Sequence, residues 1–167
     1  LMGVALDRLV PLVGRAQQAE RMRRIGVLMT FATGDPEGQA RMAAFLQGLQ
    51  ELGWTDGRNL QIDYRRTAGV AERIRKHAAE LVALAPDVIL ASGGQVMAPL
   101  LQATRTVPIV FTTAADPVGS GFVASLARPG GNVTGFTNSQ AEMGGKWLQF
   151  LTEADPALSR VGVLFNP

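Results

Sequence analysis

Short apolar runs alternate with segments of helical periodicity from Arg24 to the end of the 167-residue chain. The runs that begin at Ile25 and Val88 are continuously apolar, which is typical of strands buried on both faces of a sheet. The predicted strands are Ile25–Met29, Leu60–Tyr64, Val88–Ala91, Pro108–Phe111, Val133–Phe136 and Val161–Phe165. Six strands that alternate with helices predict an α/β fold, a doubly wound parallel sheet with right-handed crossovers covering both faces.

The helical segments between the strands have recognisable ends and apolar faces. Asp35 followed by Pro36 predicts the start of the first helix, and Gly53 predicts its end. The inward positions of this helix are predicted to be Met42, Phe45, Leu46, Leu49 and Leu52. The later helices are predicted near Val70–Ala85, Gln95–Arg105, Gly121–Leu126 (a short one) and Gln140–Glu153. The last helix is predicted to have one apolar stripe, which consists of Met143, Trp147, Leu148 and Leu151 and faces a core.

Polar side chains and glycines follow the carboxyl ends of four predicted strands. In open parallel sheets ligands bind outside these ends, near the point where the strand order reverses. This rule selects the segments Thr30–Thr33, Ser92–Gln95, Thr112–Asp116 and Gly135–Asn138. Their hydroxyls, amides and glycines suit the reversible recognition of a small polar ligand. The sequence therefore predicts a ligand site at this edge of the sheet.

Several residues in these segments have two interpretations. Ser92, Gly93 and Gly94 open a helix, so its N–H groups and positive dipole end suit a ligand carboxylate or phosphate. The same glycines would equally serve a tight strand-to-helix turn. Asp116 is either the counter-ion of a ligand ammonium or the acceptor of an Asx turn or N-cap. Phe31 either stacks on a ligand or packs into the core.

Several kinds of chemistry are excluded or disfavoured by the residue types present. The chain has no Cys, which excludes a disulfide scaffold, a cysteine-ligated zinc ion and a catalytic thiol. The single His77 argues against a His-rich metal site and a His-based nucleophile triad. The first strand is not followed by Gly-x-Gly-x-x-Gly, and neither Lys76 nor Lys146 belongs to a phosphate-binding loop. No pair of carboxylates fits acid–base catalysis, so we predict a binding protein, not an enzyme, without cofactor or metal.

The positive charge of the chain does not indicate a nucleic-acid partner. The net charge is only +2, although the calculated isoelectric point is 9.7. The densest basic clusters are Arg21–Arg24 and Arg73–Lys76, and Tyr64 is the only aromatic ring near them in the sequence. A nucleic-acid site needs a continuous basic face with aromatic platforms. We therefore interpret these clusters as solvated surfaces and expect no nucleic-acid partner. A membrane-spanning helix needs a run of about 18 apolar residues, and the sequence has none.

Residues 1–21 have a composition of their own and are predicted to be the end of an export signal. The segment is apolar and has small residues at Gly14 and Ala16, a spacing typical of a signal-peptidase site between Ala16 and Gln17. Asp7 and Arg8 interrupt its apolar stretch. The alternative is a plain amphipathic leader helix.

Three stretches of the chain resemble a known protein family. They are GWTDGRNLQIDYR from Gly53, APDVILAS from Ala85 and, most specific, DPVGSGFVASLARPGGNVTG from Asp116 to Gly135. These stretches resemble the ABC-transporter substrate-binding family that includes tryptophan- and tyrosine-binding lipoproteins. The resemblance runs from about Arg24 to Pro167.

The resemblance implies a fold and a function. The family is similar to type 1 periplasmic binding proteins, in which two Rossmann-like or flavodoxin-like α/β lobes close over a solute. It implies a periplasmic protein that delivers an aromatic or branched amino acid to an ABC permease in the membrane. By position, the ligand contacts would be Thr30, Phe31, Ala32, Ser92, Gly93, Gly94, Thr112, Thr113 and Asp116.

The resemblance also implies a division of the chain. A family member is roughly twice this long, so residues 22–137 would be the amino-terminal ligand-binding lobe and residues 138–167 the truncated start of the second lobe. The sixth predicted strand, Val161–Phe165, then lacks partners and would pack on its own chain or form a homodimer through another copy's sheet. The alternative function is a cytosolic Rossmann-like nucleotide-binding enzyme or regulator domain that uses Ser92, Gly93 and Gly94.

Overall fold

The computed structural model of the protein describes residues 22–137 and 143–162. Within these ranges the chain forms a sheet of five strands and four α-helices. In chain order the elements are β1 (Arg23–Met29), α1 (Pro36–Glu51), β2 (Leu60–Arg66), α2 (Ala71–Ala83), β3 (Val88–Ser92), a 3₁₀ turn (Gly94–Val96) that runs into α3 (Met97–Ala103), β4 (Ile109–Thr112), β5 (Val133–Phe136) and α4 (Met143–Ala154). The expected leader, residues 1–21, lies outside the described residues.

The five strands form one parallel sheet in the order β2-β1-β3-β4-β5. This order confirms the predicted α/β fold class. The chain moves from β1 to β2 in one direction and then returns past β1 to β3, so the order reverses between β1 and β3. At such a switch point the two strands leave the sheet towards helices on opposite faces, which opens a crevice at their carboxyl ends.

Helix α1 begins as the sequence predicts. The Asp35 carboxylate accepts a hydrogen bond from the Gly38 amide at 2.9 Å, and Pro36 occupies the first turn. Met42 is buried against the sheet, and Phe45, Leu46 and Leu49 pack around the same cluster. The prediction for Leu52 is wrong, because this residue is the C-cap and its side chain is exposed. The chain leaves the helical path there, so the helical spacing no longer directs Leu52 to the sheet.

The two faces of the sheet are covered unequally. On one face α2, α3 and the chain between β4 and β5 bury the apolar residues of the three strands β3, β4 and β5 almost completely. These residues are Ile89, Ala91, Ile109, Phe111 and Val133. On the other face α1 is the only helix among the described residues that packs on the sheet, and its cluster lies over β2 and β1 and reaches Leu90 of β3.

The uncovered part of this second face is called here the open face. It consists of the alternate residues of β4 and β5, which the register aligns: Val110, Thr112, Thr134 and Phe136. Val110 and Thr112 are half-buried, and Thr134 and Phe136 are exposed. This part of the face is uncovered because a right-handed crossover places its helix on one face or the other according to the direction of the step along the sheet. Among the described connections, the step from β1 to β2 is the one that places its helix on this face. Within the described residues helices therefore lie on both faces of the sheet as predicted, but one of the two faces is covered only in part.

The predicted short helix at Gly121–Leu126 is wrong. These residues form turns and bends, and Gly121 has a positive φ of 71°. Phe122 and Val123 nevertheless pack against the core. These apolar residues therefore belong to a buried loop, and the turn before it is closed by the Ser120 amide, which donates to the Asp116 carbonyl at 3.0 Å.

Helix α4 forms where the sequence predicts it, but its apolar stripe is not in a core. Trp147 is 59% exposed, and Leu148 and Leu151 are exposed as well. The prediction that Trp147 belongs to a core is therefore wrong for the described structure. Most of the sixth predicted strand lies outside the described residues, and its first two residues, Val161 and Gly162, form no strand. In the ranges that the structure covers, none of the helices has the length and apolarity needed to cross a bilayer.

Candidate functional site

The segments that follow β1, β3, β4 and β5 meet at the carboxyl edge of the sheet and are hydrogen-bonded to one another. The Thr30 amide donates to the Ser92 carbonyl at 3.3 Å, which joins the ends of β1 and β3. The Gly93 amide donates to the Thr112 carbonyl at 3.1 Å, which joins β3 to β4. The Thr137 hydroxyl donates to the Ala114 carbonyl at 2.7 Å, which joins β5 to β4. The structure thus brings the four segments selected from the sequence into one continuous edge.

Gly93 stands at the centre of this edge, at the switch point between β1 and β3. Its φ is 103° and its ψ is 140°, a conformation that residues with a side chain rarely adopt. A Cβ atom at this position would lie 2.8 Å from both Cγ2 and Oγ1 of Thr30. Glycine is therefore required both for the backbone conformation and for the close approach of Thr30, and it leaves the edge open to a ligand.

Strained backbone is concentrated at the carboxyl edge. Four non-glycine residues in the described chain have positive φ, and three of them, Ala68, Thr113 and Asp116, follow β2 or β4. Such conformations cost about 1–3 kcal/mol each and cluster at ligand sites and switches. The segment after β2 was not selected from the sequence, although its Thr67-Ala68-Gly69 run directly after a strand is a turn signal. Its Thr67 is buried and donates from Oγ1 to the Met29 carbonyl at 3.0 Å, which ties it to β1.

Asp116 forms the turn that one of its two interpretations predicted. Its Oδ1 accepts a hydrogen bond from the Gly119 amide at 2.8 Å, and the residue is exposed to solvent. A carboxylate has further lone pairs, so this turn also holds the Asp116 side chain in a fixed position with capacity to accept from a ligand. The role in ligand binding stays a prediction.

Phe31 packs beside the start of α1. A Cβ at Gly38 would lie 2.7 Å from the Phe31 Cβ, so glycine at this helical position allows the ring to approach. The Arg41 guanidinium lies 5.3 Å from the ring centroid, and Arg41 is also bonded to Glu37. The half-buried ring thus contributes to the core cluster around Met42. Contact between Phe31 and a ligand stays a prediction.

A cavity of about 290 Å³ lies next to the edge, between α1 and the strands β3 and β4. Two predicted site residues, Ser92 and Thr112, reach it at its polar end. The remaining lining is mostly apolar and consists of Met29, Arg41, Met42, Ala44, Phe45 and Leu90. The sequence predicted Met42 and Phe45 as core residues and not as part of a cavity, because periodicity shows which residues share a face and not where that face ends.

The edge has few ionisable groups. Burial raises the pKa of Tyr64, which lies within β2, and hydrogen bonds from His77 and then Arg65 lower the pKa of Glu80 on α2. None of these residues belongs to the segments at the carboxyl edge. In the described part of the chain no three His, Asp or Glu side chains come together as a metal site. The chemistry available at the edge is hydrogen bonding from hydroxyls, amides and one carboxylate, which suits binding.

The five parallel strands and their hydroxyl-rich carboxyl edge thus form an α/β lobe of the kind that binds ligands at this edge. The sequence profile of the family described as ABC transporter substrate binding protein matches residues 26–167. The chain belongs to this family.

Three relatives of known sequence or structure are similar to this chain over part of their length. A tyrosine-binding protein of Clostridioides difficile strain R20291 is 31% identical over 122 residues, which are 73% of this chain and 35% of that protein. A conserved domain protein of Vibrio cholerae has 30% identity and a TM-score of 0.70, over 82% of this chain and 45% of the other. The ABC domain in complex with L-Trp from Streptococcus pneumoniae has 29% identity and a TM-score of 0.64, over 69% and 38%.

The chain spans about a third to under half of the length of these relatives. The solved structures are similar over one lobe, which agrees with the single sheet of the described residues. The predicted division into residues 22–137 and 138–167 stays a prediction.

Proposed function

We propose that this protein is a solute-binding component of an ABC uptake transporter and reversibly binds an amino acid, aromatic or branched, at the carboxyl edge of its sheet. The observation that carries this proposal is the set of hydrogen-bonded segments around Gly93, which presents backbone and hydroxyl groups at the switch point. The names of two relatives, one tyrosine-binding and one in complex with L-Trp, support an amino acid as the ligand.

The two charged groups of an amino acid have partners of opposite sign in this proposal. The ligand carboxylate lies at the start of the helical segment that begins at Gly94, where the first N–H groups have no intrahelical acceptor. The ligand ammonium is bound by Asp116, the only carboxylate in the segments predicted to bind ligand. The hydroxyls of Thr30, Ser92 and one of Thr112 and Thr113 complete the hydrogen bonding, without a cofactor and without a catalytic step.

The wider role follows from the family. A solute-binding protein acts outside the cytoplasmic membrane, so we infer that this protein is exported, that residues 1–21 belong to its leader and that an ABC permease is its partner. In the two-lobe arrangement a second lobe closes over the ligand and excludes water from it. Residues 22–137 on their own supply only the contacts of one side, so their affinity is expected to be weak.

The ammonium role of Asp116 is tested by native mass spectrometry of the chain with a panel of amino acids, nucleosides and NAD. We expect selective adducts with amino acids, and we expect Asp116→Ala to weaken them about 10- to 100-fold, as loss of a hydrogen bond to a charged group does. Asp155→Ala is the control, because the exposed Asp155 carboxylate also accepts a hydrogen bond from a nearby backbone amide, that of Ala157 at 3.0 Å, and lies far from the edge in sequence.

The outcomes of this experiment separate the two functions that the sequence left open. Equal adducts for the Asp116→Ala and Asp155→Ala variants would show that Asp116 does not bind the ammonium. A selective adduct with a nucleoside or NAD would instead support the alternative, a Rossmann-like nucleotide-binding enzyme or regulator.

A further inference from the structure

Strand β2 is at one end of the sheet, so one of its two edges faces β1 and the other faces none of the other four strands. This second edge is called here the free edge. On the side of β1, the Asn59 carbonyl accepts a hydrogen bond from the Arg23 amide at 3.1 Å, and the Thr67 amide donates one at 3.0 Å. Because backbone groups point alternately to the two sides of a strand, the amides and carbonyls of residues 60, 62, 64 and 66 lie on the free edge.

The free edge is not part of the ligand site. It lies at the opposite end of the sheet from β5. None of the residues proposed to bind the amino acid is on β2. An unpaired strand edge is nevertheless a template for pairing with another chain, and folded proteins cover it or place charges on it. The contacts on the free edge therefore decide whether β2 is open to such pairing.

The start of the free edge is occupied by the turn that precedes β2. The Leu60 amide donates to the Thr55 carbonyl at 3.3 Å, and the Leu60 carbonyl accepts from the Gly57 amide at 2.8 Å, which makes a bridge between Asp56 and Leu60. The Asp56 side chain extends this cover by one step. Its Oδ1 accepts a hydrogen bond at 3.0 Å from the next amide of the edge, that of Ile62.

A guanidinium occupies the next acceptor along the free edge. Arg65 Nη1 donates to the Tyr64 carbonyl at 3.0 Å. The Nε atom of the same side chain donates to the Glu80 carboxylate on α2 at 3.2 Å, which holds the guanidinium in place. A guanidinium has donors and no acceptor, so it cannot continue a strand ladder. The Tyr64 carbonyl is therefore closed to the amide of an added strand.

The strand that fits the free edge is β2 of a second copy. In an antiparallel pair with its two-fold axis at Tyr64, the Tyr64 amide of each copy would donate to the Tyr64 carbonyl of the other, and Ile62 would pair with Arg66. The same register would place Asp63 opposite Arg65 of the second copy, a pairing of opposite charges. This ladder needs the Ile62 amide and the Tyr64 carbonyl of both copies.

We propose that Asp56 and Arg65 block the free edge of β2 against pairing with a second copy of this chain. Asp56 occupies the Ile62 amide and Arg65 occupies the Tyr64 carbonyl, the two groups that the antiparallel pair requires. The free edge is thus a self-complementary interaction surface that the chain keeps closed. Removal of both side chains opens it.

Sedimentation velocity over a concentration series tests the proposal. The double variant Asp56→Ala/Arg65→Ala is expected to lower the dimer dissociation constant about 10-fold or more relative to the unmutated chain. Its net charge is unchanged, because one acid and one base are lost together. Glu37→Ala/Arg41→Ala is the matched control, since it removes the same two charges from an ion pair on α1 and is expected to leave the dissociation constant unchanged. Circular dichroism checks that each variant is folded.

Hydrogen exchange resolved by residue with NMR locates the pairing. In the unmutated chain the Ile62 amide is expected to exchange about 10-fold more slowly than the Tyr64 amide, because Asp56 accepts its hydrogen bond. Asp56→Ala is expected to remove this protection, and Asp56→Asn, which keeps a side-chain oxygen as acceptor, is expected to retain it. In the dimer of the double variant, the amides of Ile62, Tyr64 and Arg66 are expected to become protected together.

Any of four results overturns the proposal. A double variant that associates no more than the unmutated chain shows that the two side chains do not block the edge. Equal association of the α1 control variant shows that lost surface charge is the cause. A dimer of the double variant with unprotected β2 amides uses another surface. An Ile62 amide that exchanges as fast as the Tyr64 amide in the unmutated chain shows that Asp56 does not cover the edge, and this result depends on no variant.

Discussion

Replacing Gly135 with alanine is expected to lower the free energy of unfolding by about 3 kcal/mol, the upper range for forcing extra volume into a packed site. Gly135 pairs with Phe111 across β5 and β4. A Cβ at Gly135 would lie 2.6 Å from the Phe111 Cγ and 2.7 Å from its amide nitrogen, and it would overlap the Phe111 carbonyl oxygen. Phe111 is almost fully buried and its backbone is part of the sheet, so neither can move away. Strand β5 would have to separate from β4.

Urea denaturation followed by circular dichroism measures this effect. At an m-value of about 2 kcal/mol/M the midpoint for Gly135→Ala is expected to fall by about 1.5 M. The control is Gly48→Ala within α1, where a Cβ meets nothing within 4 Å. That change is expected to raise stability by up to about 1 kcal/mol, because alanine is the better helix former. A midpoint for Gly135→Ala equal to that of the unmutated chain would show that the pairing of β4 with β5 is wrong.

Five strands could be predicted from the sequence because each is a short apolar or alternating run between turn residues, although one face of β4 and β5 is only partly covered. Continuous apolar runs such as those in β1 and β3 leave little choice of structure, and their positions are confirmed by the sheet. The alternating pattern in β2 agrees with its position at one edge of the sheet. The order of the strands does not follow from these patterns, because it depends on contacts between distant segments.

The errors concern what an apolar pattern packs against. Helix α4 has the apolar spacing of a core helix, yet Trp147 is exposed, because periodicity groups residues on one side without identifying a partner for that side. The open face escaped prediction for a related reason. It follows from the handedness of the crossovers only after the order β2-β1-β3-β4-β5 is known. At Gly121–Leu126 the pattern came from a loop that buries Val123.

The position of the candidate site could be predicted, but its internal geometry could not. The rule for parallel sheets placed Thr30, Ser92, Thr112 and Asp116 at one edge, and the structure brings the segments that contain them together. The contact between Thr30 and Gly93 joins residues 63 positions apart in the chain. The strain at Thr113 and the hydrogen bond from the Gly119 amide to the Asp116 carboxylate depend on backbone conformations that several residue types adopt, so the sequence left them open.

Replacing Gly93 with alanine is expected to lower the free energy of unfolding by about 3 kcal/mol, the sum of backbone strain and a clash with Thr30. Gly34→Ala separates the two causes. Gly34 has a similar positive φ of 91°, but a Cβ there meets nothing within 4 Å. The Gly34→Ala variant is therefore expected to lose about 1 kcal/mol of unfolding free energy, which is the cost of the backbone strain alone. Equal losses for the two variants, measured as urea midpoints, would mean that Thr30 does not crowd this position.

A double-mutant cycle then shows whether the clash with Thr30 is the cause of the difference. Thr30→Ala removes both atoms that lie 2.8 Å from the added Cβ and leaves only the Thr30 Cβ, at 3.4 Å. In the Thr30→Ala background, the loss in the free energy of unfolding caused by Gly93→Ala is therefore expected to be smaller by about 1–2 kcal/mol. A coupling of this size is typical of residues in contact. Additive losses would disprove the contact. Thr30 and Gly93 both belong to the proposed amino-acid site. Coupling between them would therefore also show that a residue larger than glycine at position 93 displaces the Thr30 hydroxyl from that site.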